Sequence, residues 1–378
     1  MKRTDVRLIL SLFFSWRLLL FLVLFFAVRF VPLQSDFLGG GGGVINYLTN
    51  PYLFAWANFD GEHHLFIAKF GYKILTQAFF PLYALLIKFL AHPFSLNFAT
   101  LTSAGFLISN ISFLISLFLM WKLIILDYSR KIAVFSIILL LSFPTSFYFG
   151  SVYSESLYLV LSVGAFYAAR RQRWFLVGML GLLASLTRVF GILLLPALFI
   201  EAWQAKAPLK KYFWIFLIPL GLFGYMFFQW KAFNDPLAFY NLQTLVGYQH
   251  QRGIVLLPQV FFRYFKILLS LDLTKISSLS ILLEFFSGAL FTALPIYAYF
   301  KKMRLSYLLY GAAGFLLPTI QGSFSSTPRY VLVLFPMFLA LSLLLQKYSP
   351  LKKAIIIGFF LIWLGIETAL FVRGFWVA

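Results

Sequence analysis

Long apolar stretches alternate with short polar breaks along this chain, and apolar runs recur at about 8–31, 98–125, 132–149, 153–169, 174–203, 212–231, 256–271, 279–300, 305–320, 329–346 and 354–373. A helix needs roughly 20 apolar residues to cross about 30 Å of hydrocarbon, so the runs predict about ten to twelve helices, some of them short or broken. They lack the period-two alternation of an outer-membrane barrel, and backbone groups inside lipid must find their partners within the chain. The predicted fold class is therefore all-α integral membrane, a polytopic bundle of about 10–12 transmembrane helices with residues 1–378 as a single transmembrane domain. The breaks leave no room for a separate soluble domain. Only two are long, 32–78 and 232–255. The stretch 79–91 holds thirteen residues, about 20 Å as helix, and is expected to be short or re-entrant.

Composition agrees with the pattern. The chain is 62% hydrophobic, 21% aromatic with 49 Phe, and only 11% charged, at a mean hydropathy of +0.91, far from a soluble domain. The formal charge of +20 suggests nucleic acid until its distribution is read. Seventeen of the thirty-one Lys and Arg fall in the amino terminus (Lys2, Arg3, Arg7) and five short breaks: Arg130 and Lys131; Arg170, Arg171 and Arg173; Lys206, Lys210 and Lys211; Lys301, Lys302 and Arg304; Lys347, Lys352 and Lys353. The positive-inside rule makes these cytoplasmic, and anionic membrane lipids account for the excess without a nucleic-acid partner. With the amino terminus inside, 8–31 exits the membrane and places 32–78 and 232–255 on the outer face. Arg17 and Arg29 interrupt or bound the first run and no small-residue cleavage site follows, so it reads as an uncleaved helix. Cysteine is absent, which excludes disulfides, thiolate metal sites and a cysteine nucleophile. Together with the lack of a retention signal or long soluble tail, this favours a bacterial or archaeal plasma membrane.

Against that background WANFDGEHHLFIAKFGY (56–72) stands out. It packs Asp60, Glu62, His63 and His64 into five residues of a chain with eleven acids in all. A carboxylate at the membrane surface can act as general base toward an acceptor hydroxyl, and one well-placed acid suffices. Asp60 is that candidate. Glu62 points away from it on a helix and lies on the same side on a strand, so a paired-carboxylate glycosidase is not specifically indicated. His63 and His64 are adjacent and diverge, so they do not chelate one ion as an HxxxH pair would, and no metal or other cofactor is expected. The plain alternative for the cluster is a wetted loop anchored at the interface.

The glycine run 39–43 lacks the following Gly-Lys-Ser/Thr of a phosphate loop and reads as a hinge. The second loop carries Asp235, His250 and Arg252 among Tyr and Gln, and reads as an amphipathic interfacial segment. Deeper in the chain, Arg188 in GLLASLTRVFGILLLP needs an anionic partner, because an unpaired guanidinium costs at least ~2.5–3.5 kcal/mol there. Arg329, in STPRYVLVLFP, can reach a phosphate at headgroup level or snorkel to lipid. Glu155 sits in an outer turn with Tyr153, where it can meet sugar hydroxyls or pair with Arg188. Two arginine forks suit a donor whose leaving group is a phosphate.

Trp56, Asp60 and His63, then IAKFGY (67–72), FPLY (80–83), FPTSFYFGSVYSESLYLVL (143–161) and SLTRVFGILLLP (185–196), together resemble the PIG-V-like mannosyltransferases, polytopic enzymes of the GT-C class. The matched stretches cover roughly the first half of the chain, and beyond it only TPRYVLVLFP is similar. The resemblance implies a GT-C-like helical fold. It implies a glycosyltransferase that moves a sugar, usually mannose, from a polyprenyl- or dolichyl-phosphate donor on the outer or luminal face, with a lipid or glycan as the expected acceptor. It maps the family's functional acid onto Asp60 as general base, with Trp56, Glu62, His63, His64, Tyr153, Glu155, Arg188 and Arg329 as candidates for substrate binding. Two other readings remain in view. A secondary transporter or lipid flippase would share the helices and buried arginines but would want repeat symmetry, and more mid-helix acids than Glu284 and Glu367. The other is a noncatalytic subunit of a membrane transferase.

Overall fold

The computed structural model describes residues 2–34, 38, 43–73, 75–242, 254–272 and 274–377, and among them every regular element is helical. The first is α1 (Arg3–Phe30). The segment 32–78 is itself largely helical: α2 (Val44–Thr49), α3 (Pro51–Phe54), a 3₁₀ turn (Ala55–Ala57) and α4 (Asp60–Phe70). There follow α5 (Pro81–Ala91), α6 (Phe98–Ile124), α7 (Arg130–Ser142), α8 (Glu155–Arg170), α9 (Trp174–Ser185) and α10 (Leu194–Gln204). Then come α11 (Leu209–Tyr212), α12 (Ile218–Phe233), α13 (Ala238–Asn241), α14 (Leu257–Leu269), α15 (Ser277–Phe300) and α16 (Leu305–Thr319). The last are α17 (Thr327–Tyr330), α18 (Phe335–Leu345) and α19 (Pro350–Val372).

Short polar residues set many of these boundaries. Asn97 accepts from the Thr100 N–H at 2.9 Å to start α6, and Ser349 with Pro350 starts α19. By length and composition five helices among the described residues can cross a membrane: α1, α6, Leu209–Phe233, α15 and α19. The pair Thr327–Val333 and Phe335–Leu345, bent by 91°, makes a sixth if it is counted as one broken span. The apolar runs therefore do not all become long spans. Run 174–203 breaks after Ser185 into α9, a 3₁₀ turn (Val189–Leu193) and α10. Run 256–271 becomes the 13-residue α14, about 20 Å long, which buries Val260 and Tyr264 while Phe262, Phe265 and Leu269 face outward. The eleven residues of α5, about 16 Å of helix, fit the short segment expected at 79–91.

The bundle closes on itself: α6 lies along α8, α8 along α9, α9 against α12, α7 against α18, and α1 against α19. Aromatic contacts fill the centre. Phe143 meets Phe291, Phe338 and Phe360 edge-on, and Phe113 stacks on Phe149 at 4.3 Å. On the outside of α1, Phe14, Leu18 and Phe30 stay 60–78% exposed, a surface suited to lipid. Acids near the basic breaks are neutralised there: Asp5 by Arg130 at 2.5 Å, Asp127 by Arg170, and Glu201 by Arg304 at 2.7 Å. Residues 39–42 of the glycine run, and His250 and Arg252 of the second loop, lie outside the described residues.

Candidate active site

The site assembles where α4, the 146–154 turn, the start of the 3₁₀ turn after α9, and α17 meet. The chain reaches Asp60 through a sharp reversal. Phe59 has φ 56° and ψ −117°, a left-handed conformation that bulky residues rarely adopt. Neighbours hold it there: Asn58 Nδ2 donates to Phe371 O at 2.8 Å, Tyr153 OH donates to Asn58 O at 3.0 Å, and the Val152 N–H donates to Trp56 O at 2.8 Å. Asp60 is the first residue of α4, where the free N–H groups of a helix start favour a negative charge. The opposing element repeats the device. Ser326 has φ 59°, α17 follows at once, and Thr145 Oγ1 donates to Pro328 O at 2.6 Å to fix the turn that carries Arg329.

These two turns bring four charges into one chain. Arg329 Nη1 donates to Asp60 Oδ2 at 2.5 Å. Arg329 Nε lies 3.6 Å from Glu155 Oε1, and Arg188 Nη1 lies 2.5 Å from the same oxygen. Two carboxylates and two guanidiniums thus alternate, and their formal charges cancel. Glu155 is fully covered, whereas the Asp60 side chain keeps 28% of its surface open, so Asp60 is the end a substrate can reach. Aromatic rings wall the arginines: Tyr330, Tyr148 and Tyr153 stand 5.0, 5.6 and 5.8 Å from the Arg329 guanidinium, and Tyr330 stands 5.6 Å from that of Arg188. Arg188 is placed by close packing, because a Cβ on Gly191 would stand 2.4 Å from the Ser185 backbone. Only glycine lets the turn fold back against the end of α9.

Burial pushes against ionisation of Asp60, but the charge of Arg329 leads the opposing effects, its hydrogen bond adding to them, and holds the carboxyl below its ordinary value. Burial raises Glu62 and lowers His63, and it takes His64 down to about 3, so His64 is neutral.

Of the residues singled out from sequence, Asp60, Tyr153, Glu155, Arg188 and Arg329 converge, and Glu155 is the anionic partner that Arg188 required. Arg329 points into this cluster and not to the headgroups. Glu62 lies on a helix two residues from Asp60 and is turned away from it. His63 stacks on Phe79 at 4.7 Å, and His64 meets Phe79 and Tyr83 edge-on. Trp56 is wholly buried, with its ring 4.3 Å from the Arg17 guanidinium. Sequence reasoning missed Asn58, Tyr148 and Tyr330. The adjacency of Arg329 and Tyr330 was a usable signal for the last, while the contacts of the other two arise only on folding. Among the described residues no three His, Asp or Glu side chains converge as metal ligands.

The profile of the family described as mannosyltransferase (PIG-V) matches residues 6–214. No curated protein matches the chain. Among solved structures it is similar to ArnT from Cupriavidus metallidurans in the apo state, at 16% identity and a TM-score of 0.52, over 92% of this chain and 62% of that one. The same enzyme bound to undecaprenyl phosphate gives 14% identity and 0.53 over 95% and 64%. Archaeal oligosaccharyltransferase AglB from Archaeoglobus fulgidus, in complex with an inhibitory peptide and a dolichol-phosphate, gives 13% and 0.50 over 100% and 57%. The chain thus spans about three fifths of the length of these structures. At such identities the likeness concerns the fold, which is the GT-C-like helical fold.

Proposed function

The chain belongs to the PIG-V mannosyltransferase family, whose profile covers more than half of it, and from that premise we propose that it transfers a sugar, mannose in the first instance, from a polyprenyl-phosphate donor to a lipid or glycan hydroxyl on the outer face of the membrane. The observation that carries this reading is the partly open carboxylate of Asp60 joined to Arg329 at 2.5 Å. A phosphate-activated sugar already has a leaving group, so the protein must supply an aligned hydroxyl, a base and cations. In the step, the acceptor oxygen bonds to the anomeric carbon, the bond from that carbon to the phosphate oxygen breaks, and the acceptor proton passes to Asp60. The polyprenyl phosphate leaves with the electron pair. Direct displacement inverts the anomeric centre.

Arg329 serves both partners. With no donor present it keeps Asp60 ionised, and with a donor it can turn part of its fork toward the phosphate, where Arg188 supplies a second cation. Glu155, buried between the two arginines, holds both forks in register. The lipid-linked donor suits a helical scaffold because its tail can remain in the bilayer.

Transfer is tested with purified protein in lipid, radiolabelled polyprenyl-phosphate mannose and a membrane-lipid extract as acceptor. Wild type is expected to yield labelled product, and folded Asp60→Asn to lose at least about a hundredfold of it. Undiminished product in the mutant removes Asp60 as base, and absence of product with mannose and glucose donors alike removes the transferase reading.

A further inference from the structure

Helix α14 has three sides of different chemistry. At about 100° per residue, Val260, Phe261 and Tyr264 fall on one side, Phe262, Phe265 and Leu269 on a second, and Gln259, Arg263 and Lys266 on a third, each about a third of a turn from the next. The first side packs on the bundle, where Val260 and Tyr264 are buried. The second faces outward, with Phe262, Phe265 and Leu269 57–74% exposed. On the third, Gln259 and Lys266 are exposed as well, and Lys266 Nζ lies 4.5 Å from the Phe262 ring at the seam between the two outward sides.

A helix that crosses a membrane has a different pattern. On α19 the exposed side chains past the first turn are apolar, Ile355, Phe359, Leu361, Ile362 and Ile366 among them, because lipid surrounds that surface along its length. As a span, α14 would hold the amide of Gln259 and the amine of Lys266 in hydrocarbon, and its thirteen residues, about 20 Å, fall short of the roughly 30 Å to be crossed. In water it would wet a stripe of three large apolar side chains. Its contacts also mark a crossing. Phe261 and Tyr264, one turn apart, both reach a single turn of α15: the Phe261 ring stands 6.1 Å from that of Phe285, and Tyr264 OH donates to Glu284 Oε2 at 2.6 Å. Two spans lying side by side meet over several turns.

We infer that α14 lies flat in the membrane–water interface at the end of the bundle that carries Arg329, with Phe262, Phe265 and Leu269 against the acyl boundary of that leaflet and Gln259 and Lys266 at headgroup level. The partner of this surface is lipid. An apolar stripe beside a polar stripe without acids, both running the length of the helix, fits an axis parallel to the bilayer plane. The same helix is bonded to the turn that leads into the ion chain: Arg263 Nη1 donates to Gly322 O at 3.0 Å, Tyr264 OH lies 3.3 Å from Ser323 Oγ, and the Tyr264 ring stands 4.9 Å from that of Phe324. A surface that touches lipid thus braces the segment five to seven residues before Arg329. The placement of α14 does not depend on the transferase reading.

The chain has no cysteine, so single nitroxide labels can be attached through Phe262→Cys, Phe265→Cys, Leu269→Cys, Gln259→Cys and Lys266→Cys, with Ile355→Cys on α19 as the lipid-facing reference. Power-saturation EPR is recorded in nanodiscs of phosphatidylcholine and phosphatidylglycerol, with oxygen and a water-soluble nickel chelate as relaxants. Labels at 262, 265 and 269 are expected to favour oxygen, as the reference does, at depths of about 5–10 Å that agree within about 5 Å, and labels at 259 and 266 to favour the nickel chelate. A depth that changes steadily along the helix, by about 10 Å between 262 and 269, makes α14 part of a span and overturns the inference. Preference for the nickel chelate at all five positions overturns it in favour of water. Low collision with both relaxants at 262, 265 and 269 overturns it in favour of a protein partner.

Discussion

Arg329 is attached to one carboxylate at 2.5 Å and stands 3.6 Å from another, and the difference sets what each acid can do. Asp60 owes its lowered pKa to that contact, against a desolvation effect that alone would raise it. Arg329→Gln removes the favourable charge and leaves burial unopposed, so the base protonates at higher pH. The acid limb of the rate profile, expected in wild type below the ordinary carboxylate value of 3.8, is expected in the mutant to move upward. An unmoved limb in a mutant with residual activity would mean that the titrating group is not Asp60. Glu155 and Arg188 make a second test. Arg188→Ala leaves the covered Glu155 carboxylate only its longer 3.6 Å contact with Arg329 and is expected to cost up to about 3–5 kcal/mol, whereas replacing both by apolar residues costs less than either single change. A thermal-melt cycle across the four proteins reads this directly. The Arg188–Glu155 pairing was one of the two readings the sequence offered for Glu155, whereas that of Asp60 with Arg329 was not legible, because the two are 269 positions apart.

At the scale of elements, the site depends on helices that stop early. Run 174–203 looks continuous in hydropathy, yet it breaks after Ser185 so that Arg188 can leave the helix and meet Glu155. The glycine of TRVFG makes that break fit. Gly191→Ala would put a methyl 2.4 Å from the Ser185 backbone, where no side-chain rotation relieves it. The expected result is a loss of about 1–3 kcal/mol in detergent melts and a fall in transfer that follows the displacement of Arg188. Unchanged stability would show that the turn can shift. Helix starts at Asn97, Ser129 and Ser349 were set locally, since each caps its helix through its own side chain. The reversals at Phe59 and Ser326 were not, because no local preference favours a left-handed Phe or Ser. Tertiary contacts impose them at the two turns that carry Asp60 and Arg329.

For the molecule as a whole, charge asymmetry predicts orientation. The chain has no cysteine, so single cysteines can be introduced without background. Ile45→Cys, on exposed α2, is expected to react with an impermeant maleimide added to intact cells, and Lys302→Cys only after permeabilisation. The reverse pattern would place Asp60 inside and exclude an outer-face reaction. The amino-acid sequence by itself determined that this is a helical membrane protein, through the length and apolarity of its runs, and it marked Asp60 by the rarity of acids around it. Both are properties of local composition, which lipid reads without regard to distant contacts. Tertiary structure alone decided which runs are long spans and which bend. It decided that Arg329 meets Asp60 and not the headgroups, and that His63, His64 and Trp56 pack against aromatic rings and Arg17. The physical reason is that a buried charge or ring is satisfied by whichever partner the bundle brings within a few ångströms, and that partner is chosen by packing across hundreds of residues.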